Sequence, residues 1–560
     1  MFPTVPRRRT PDRRVLRVRP FVLAALLFLL GAATAGAATA GASPGRIAVG
    51  LETFAHTDAV VAKLERLTAG SVHRSLGKLD AVVLEVPSTE AATARLQLVP
   101  GVRYIERVRR SRSIAFVPDD PLLPEQWHLP SIRAFDAWEE PPAADPVLVA
   151  VIDSGIDGDH PEFVGRIAGT KTFVGSSPTE DSIGHGTLVA GEIGALVGDA
   201  TGVAGAAIPV QLLVAKVVDP NGTISLDAEA DAIRWAADKG ARVINLSLGG
   251  KRDPSRPDRD TFSQLEADAV QYAYSKGAVV VAATGNCEAV CPYRYASYPA
   301  ALPHVLGVSA LNRSLKAARF SNRDAVFNDL AAPGVGIVST FPVSLSVSGC
   351  KPAGYNLCAP SDYVGGEGTS FAAPLVSAAA ATLIALRPDI HPSQVMALLE
   401  QTATDLGRAG RDKKTGRGLL DMAAAVAALG GELPPADAHE TNDWPGSRAA
   451  RVFFARGTDR RRVVATLDRY NDPSDVYSVF LRRGQRLAVT FRGPGDLQLD
   501  LVAWRPGTRE FDEGRPLRAR KGIASRGRLV FTAAKRGRYL VQLRATNGAG
   551  GQYQLVLARR

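Results

Sequence analysis

Cysteine and histidine are scarce in this chain of 560 residues, four of one and eight of the other. The cysteines fall in two close pairs, Cys287 with Cys291 and Cys350 with Cys358, and no histidine spacing suggests zinc. Beyond residue 30 nothing reads as a transmembrane helix, which excludes a multi-span membrane protein. The C-terminal tail is basic, yet it lacks the interleaved aromatics of a nucleic-acid stacking platform, so no nucleic acid is expected as partner. What remains is a globular composition long enough for several separate cores.

The first 42 residues follow the order of a secretory signal. An Arg-rich stretch (Arg7 to Arg19) precedes the apolar run Phe21 to Leu30 and the small residues Ala40-Gly41-Ala42. Export to a secreted, extracellular location is therefore expected, and disulfides become permissible there; local pairing within each cysteine pair is the favoured connectivity of three. A small α+β unit follows at 45–115, with a strand at Ala81–Val86, a helix at Thr89–Leu98 and a strand at Val102–Glu106. A basic run, Arg107 to Arg112, closes it, and the Pro-rich Val117 to Pro124 follows as an exposed linker.

From about residue 120 to 430 apolar runs alternate with helical segments. The runs are Val147–Ile152, Gln211–Val217, Val243–Ser247, Ala278–Ala283 and Val305–Val308, with helices read at Leu188–Leu196, Asp227–Lys239 and Thr261–Lys276. Continuous apolar strands are buried on both faces, so the fold class is α/β, a parallel sheet flanked by helices. A second linker spans 431–447. The tail, 448–560, alternates apolar and polar residues between turns, the pattern of a β-sandwich. From Gly446 to Arg560 there are 25 Lys+Arg against nine Asp+Glu, a net +16 where the whole chain carries +11. Such a field favours anionic partners such as acidic cell-wall polymer.

Two strands end in polar residues without structural need. Asp153 follows Val147–Ile152, and Asn286 follows Ala278–Ala283 by way of Thr284-Gly285. His185 stands between Gly184 and Gly186 at a helix start. Ser370 heads the apolar run Leu375–Leu386, with Thr369 expected as its N-cap. A hydroxyl needs a general base to become a nucleophile, and an imidazole base needs a carboxylate to fix its tautomer. Asp153, His185 and Ser370 supply one of each, and Asn286 offers an N–H to a developing oxyanion.

The segments Asp153-Ser-Gly-Ile-Asp157, His185-Gly-Thr187, Asn245-Leu-Ser-Leu-Gly249, Ala282 to Asn286 and Gly368-Thr-Ser-Phe-Ala-Ala-Pro374 resemble the signatures of the subtilisin-like serine proteases. The resemblance implies a secreted endopeptidase, made as a self-processing zymogen, in which Asp153 orients, His185 is the base, Ser370 the nucleophile and Asn286 an oxyanion donor. It implies substrate contacts from Ser247, Leu248, Gly249, Ala283, Gly285 and Ser297. No cofactor is implied for the chemistry, but a structural calcium is, near Asp120, Glu162 and the loop Gly198 to Thr201. Phe371 departs from the family's commonest Met. The unit before residue 115 is similar to the family's inhibitory propeptide, the enzyme's own partner, and the tail resembles bacterial pre-peptidase C-terminal domains. A monomer acting on polypeptides is the expectation; an inactive homologue or an adhesion protein on anionic polymer is the alternative.

Overall fold

The computed structural model describes residues 45–52, 58–76, 79–97, 99–108, 116–137, 143–287, 292–345, 355–357, 362–437, 439–445, 449–455, 458–509, 511, 515–548 and 550–560. The leader read at 1–42, and Cys291, Cys350 and Cys358, lie outside them. The chain divides into two compact units, residues 1–112 and 113–560.

In the first unit, strands Gly45–Leu51, Ser71–Leu76, Ala81–Val86 and Val102–Val108 form one antiparallel sheet with helices Asp58–Thr68 and Thr89–Leu96. Gly45–Leu51 pairs with both Ala81–Val86 and Val102–Val108, and Ser71–Leu76 lies at an edge, which is the split βαβ arrangement. Ile47, Val49, Leu51, Leu64, Val82, Leu84, Val86, Ala92 and Leu96 make its core. Ser88 caps the second helix, its hydroxyl accepting from Ala91 N at 3.2 Å. This helix stops at Leu96, two residues before the expected end. Ser71–Leu76 escapes a hydrophobicity reading because nearly all of it is solvated.

In the second unit a seven-stranded sheet runs in the order Leu330–Pro333, Val305–Leu311, Val279–Ala283, Val243–Leu246, Val147–Asp153, Val210–Lys216, Ile167–Thr172. Every pairing is parallel. Successive side chains of a strand point to opposite faces, and here both faces are interior. Val149 and Val151 enter one core with Val279 and Val281, whereas Ala150 and Ile152 enter the other with Val280 and Ala282. Helices Leu226–Asp238 and Gln264–Ser275 cover the second core, and His185–Gly194 and Ala373–Leu386 pack in the first. The stretch Thr369–Leu386 is long and apolar enough to cross a membrane, but it is 89% buried within the protein.

From Val147–Asp153 the chain builds outward to one side of the sheet, and from Val243–Leu246 to the other. The switch point thus lies between these two strands, and a crevice at the carboxyl ends of such strands is where α/β sheets bind ligands. Asp153 and Ser247 stand there.

Residues 450–559 form two further sheets, one of five strands and one of four. Both contribute to one core that includes Tyr477, Phe491, Leu501, Tyr539 and Tyr553. In strand Arg486–Arg492 burial alternates with period two, arginines outward. The Tyr477 and Tyr553 hydroxyls, from opposite sheets, meet at 2.5 Å. Within the segment 431–447, Asp437, Asn442 and Asp443 are buried.

Candidate active site

Asp153 closes its strand and is 1% exposed. Its Oδ1 accepts from Ser154 N at 2.7 Å and lies 2.8 Å from His185 Nδ1. Close approach of the histidine's helix to the strand end depends on Gly186, since a Cβ there would run into the Gly155 carbonyl oxygen. Asp181 ties the helix start down. Its Oδ1 accepts from Gly184 N at 2.9 Å and Ser154 Oγ at 2.8 Å, and its Oδ2 from Thr187 N and Oγ1 at 2.9 and 2.7 Å. Ser154 Oγ in turn accepts from Gly186 N at 2.9 Å. Sequence reasoning passed over Asp181 and Ser154; an acidic residue just before a Gly-His helix start is the signal for the first.

Burial disfavours the His185 imidazolium, but the charge of Asp153, the hydrogen bond to it and the more distant Asp181 outweigh burial and raise the His185 pKa above the ordinary histidine value. The Phe371 ring lies against the imidazole, centroids 5.3 Å apart. Phe371 follows Ser370, so the turn that carries Ser370 and the imidazole are neighbours. Among the described residues no hydrogen bond joins Ser370 Oγ to His185.

Ser370 lies in a 3₁₀ turn, Thr369–Phe371, and the α-helix begins only at Ala373. The expected N-cap role of Thr369 is therefore corrected. Its hydroxyl accepts from Gly285 N at 3.1 Å and donates to Asn286 Oδ1 at 3.0 Å, and its backbone N–H donates to the same oxygen at 3.0 Å. With two donors holding the amide oxygen, Asn286 presents Nδ2 on the side of Gly368, where a Cβ would come within 3.3 Å of it. A relay fixes the turn from behind. Ser377 Oγ donates to Asn245 Oδ1 at 2.8 Å, Asn245 Nδ2 to Ser247 Oγ at 2.9 Å, and Ser247 Oγ to Ser370 O at 2.6 Å.

Ser370 and Asn286 open on a cavity of about 700 Å³ that also takes Leu248, Gly249, Ala283, Gly285 and Ser297 into its lining. Ser247 supports this wall through the relay. Lys251, Asp253, Arg256, Arg259, Tyr293 and Asn322 line the cavity too and had gone unnoticed in the sequence.

Asp120 and Glu162, the latter in the 3₁₀ turn Pro161–Phe163, contact the loop that follows the histidine's helix and are not in the cleft lining. Asp120 accepts from Gly198 N at 2.9 Å, and Glu162 Oε1 accepts from Val203 N and Tyr363 Oη, both at 3.0 Å. Burial, with smaller contributions from Asp199 and Asp120, raises the Glu162 pKa to about 7.

A nucleophile candidate on a turn, a carboxylate-held imidazole and an amide donor around a cleft at the sheet's switch point define the class: a serine peptidase on a parallel α/β scaffold. Residues 144–418 match the Subtilase family. Subtilisin E of Bacillus subtilis (strain 168) is 34% identical over 331 residues, 58% of this chain and 78% of its own length. Thermitase of Thermoactinomyces vulgaris is 32% identical over 304 residues, 54% of this chain and 97% of its own. Among solved structures, a protease of Pseudoalteromonas arctica PAMC 21717 covers 56% of this chain and 99% of its own at 28% identity, with a TM-score of 0.46. The chain belongs to the subtilase family and is a subtilisin-like serine endopeptidase.

Proposed function

We propose that this chain cleaves polypeptides through Asp153, His185 and Ser370, with Asn286 in the oxyanion hole. In this reading Ser370 Oγ attacks the scissile carbonyl carbon while its proton passes to His185 Nε2, and Asp153 holds the Nδ1–H and stabilises the imidazolium. The negative oxygen of the tetrahedral intermediate accepts from Asn286 Nδ2 and the Ser370 N–H. Collapse breaks the C–N bond, and the His185 proton leaves with the amine. Water then attacks the acyl-enzyme by the same route, restoring Ser370. The single observation that carries the reading is the Asp153–His185 contact at 2.8 Å.

The reading extends to the rest of the chain. Residues 1–42 direct export, 45–115 form the inhibitory propeptide removed by self-cleavage, 120–430 the catalytic domain and 448–560 a β-sandwich, with disulfides joining Cys287 to Cys291 and Cys350 to Cys358. Asp120 and Glu162 fit a hard cation, because Glu162 Oε2 is buried without a partner and Asp199 adds negative charge nearby. If calcium binds there, Glu162→Gln lowers the calcium-dependent gain in melting temperature. The alternatives, inactive homologue and polymer adhesin, gain nothing from the cleft, whose chemical groups are intact.

The test is Ser370→Ala in a protease-free host. The expected outcome is loss of peptide hydrolysis together with a full-length, unprocessed chain. Hydrolysis at the parent rate would overturn the assignment of Ser370, and normal processing would show that another enzyme does the cutting.

A further inference from the structure

Where the sheet-based catalytic fold meets the sandwich, five carboxylates converge: Asp437, Glu440, Asp443, Asp472 and Asp475. The four aspartates are buried, and the Glu440 side chain is 1% exposed. One oxygen each of Asp437, Asp472 and Asp475 lies within 4.8 Å of the other two. Among the described residues, the cation paired with them is His304, whose Nε2 donates to Asp443 Oδ2 at 2.8 Å and Glu440 Oε2 at 3.2 Å while its ring stacks on Tyr274. The nearby guanidinium groups of Arg411 and Arg417 are taken by Asp329 and Glu400.

The hydrogen bonding of the cluster is incomplete. Both oxygens of Asp472 are buried without a partner, as are Glu440 Oε1 and Asp443 Oδ1, and the Asn442 side chain is the neighbour of the Asp475 carboxyl besides Tyr553. Other contacts hold these groups in position. Asp437 accepts from His439 N through Oδ1 and from Thr466 N and Oγ1 through Oδ2. Tyr553 Oη donates to Asp475 Oδ2 at 2.5 Å, which leaves Oδ1 for another partner. A buried carboxylate without a partner must take up a proton, find a cation or ligate a metal. A cavity of about 300 Å³, with His304, Asp437 and Asp472 in its lining, gives access.

We propose that Asp437, Asp472 and Asp475, with Glu440 beside them, bind a divalent cation of the calcium class at the junction of the catalytic fold and the sandwich. The aspartate donors are all hard oxygens, the ligand type calcium takes, with Asp472 and Asp475 three residues apart on one segment and Asp437 on another. His304 keeps its ion pair with Asp443 and Glu440 and stays outside the coordination shell. The ion would bind the 431–447 segment to the sandwich beside the catalytic fold, at a site separate from Asp120 and Glu162 and independent of the catalytic assignments.

The experiment is calorimetric titration of calcium chloride into the full-length Ser370→Ala chain, freed of metal with a chelator, alongside the same chain carrying Asp472→Asn or Asp475→Asn. Each substitution is expected to remove one calcium equivalent or weaken it at least 100-fold, leaving any calcium held near Asp120 and Glu162. Crystals of the parent chain soaked in terbium should show an anomalous peak within the aspartate cluster, and this decides the matter if a variant fails to fold. Identical isotherms for parent and folded variants, no terbium peak at the cluster, or a site that takes zinc and ignores calcium would each overturn the proposal.

Discussion

In the proposed mechanism Asp153 acts on substrate only through His185, and that indirectness gives it a distinct signature. His185 must be neutral to accept the serine proton, and its pKa is raised by Asp153, so the acid limb of kcat/KM is expected above the ordinary histidine pKa of about 6.5. Asp153→Asn should move that limb to lower pH and reduce kcat by about 10⁴, the size of effect that loss of the triad carboxylate has in subtilisin and in chymotrypsin-like proteases. A pH-rate profile reads both effects, and an unmoved acid limb would remove Asp153 from its role. Asn286→Ala is expected to lower kcat about 10²–10³-fold with KM nearly constant, the range measured for the corresponding donor in subtilisin itself. Equal loss in KM would instead mark Asn286 as a ground-state contact. The local motifs of Asp153, His185, Asn286 and Ser370 were legible because each breaks an apolar pattern with a polar residue. Asp181 went unread although Gly184 and Thr187 are close to it in sequence, whereas the links from Ser377 to Asn245 and from Ser247 to Ser370 join residues more than 100 apart that only folding pairs.

Among the elements, helices Leu226–Asp238 and Gln264–Ser275 carry an unusual pair. Glu229 and Glu266 are buried and hydrogen-bonded to each other. Burial raises Glu229 to about 7, and burial together with the Glu229 charge raises Glu266 to about 9. An unfolded glutamate ionises near 4.5, so between that pH and about 9 the unfolded chain gives up protons that the folded pair retains, and stability falls as pH rises. Glu266→Gln should therefore stabilise the protein at pH 8, on the order of 1–3 kcal/mol, and change little at pH 4. Denaturant unfolding at the two pH values checks this, and equal effects at both would contradict it. The same two helices show how far element reading reached. Their existence was plain from the apolar period, but Gln264–Ser275 begins three residues later than expected because Ser263, whose hydroxyl accepts from Glu266 N, caps it. The five inner strands were visible as apolar runs. The edge strand Ile167–Thr172 was not, because its half-exposed residues carry no such run.

At the scale of the molecule, the 431–447 segment separates two folds in sequence but joins them in space. Gln271 Nε2 donates to Asp443 Oδ2 at 2.9 Å, Gln394 Nε2 to Pro434 O at 2.7 Å, and Asn471 Nδ2 to Glu400 Oε1 at 2.6 Å. His304 N donates to Asn471 O at 2.9 Å. Separating the folds would leave these polar groups to find new partners, and one left buried and unpaired carries a cost of about 1–3 kcal/mol. Limited proteolysis is expected to cut at the exposed Glu432 or at Pro435-Ala436, yet the two fragments should elute together on gel filtration and part only in denaturant. Fragments that separate in native buffer would show that these contacts do not hold the folds together. Size would then depend on how it is measured: a denaturing gel would show two short bands, and light scattering the mass of the uncut partners. A preparation judged by its bands alone would be taken for a shorter enzyme that had shed its sandwich, while still carrying it in solution.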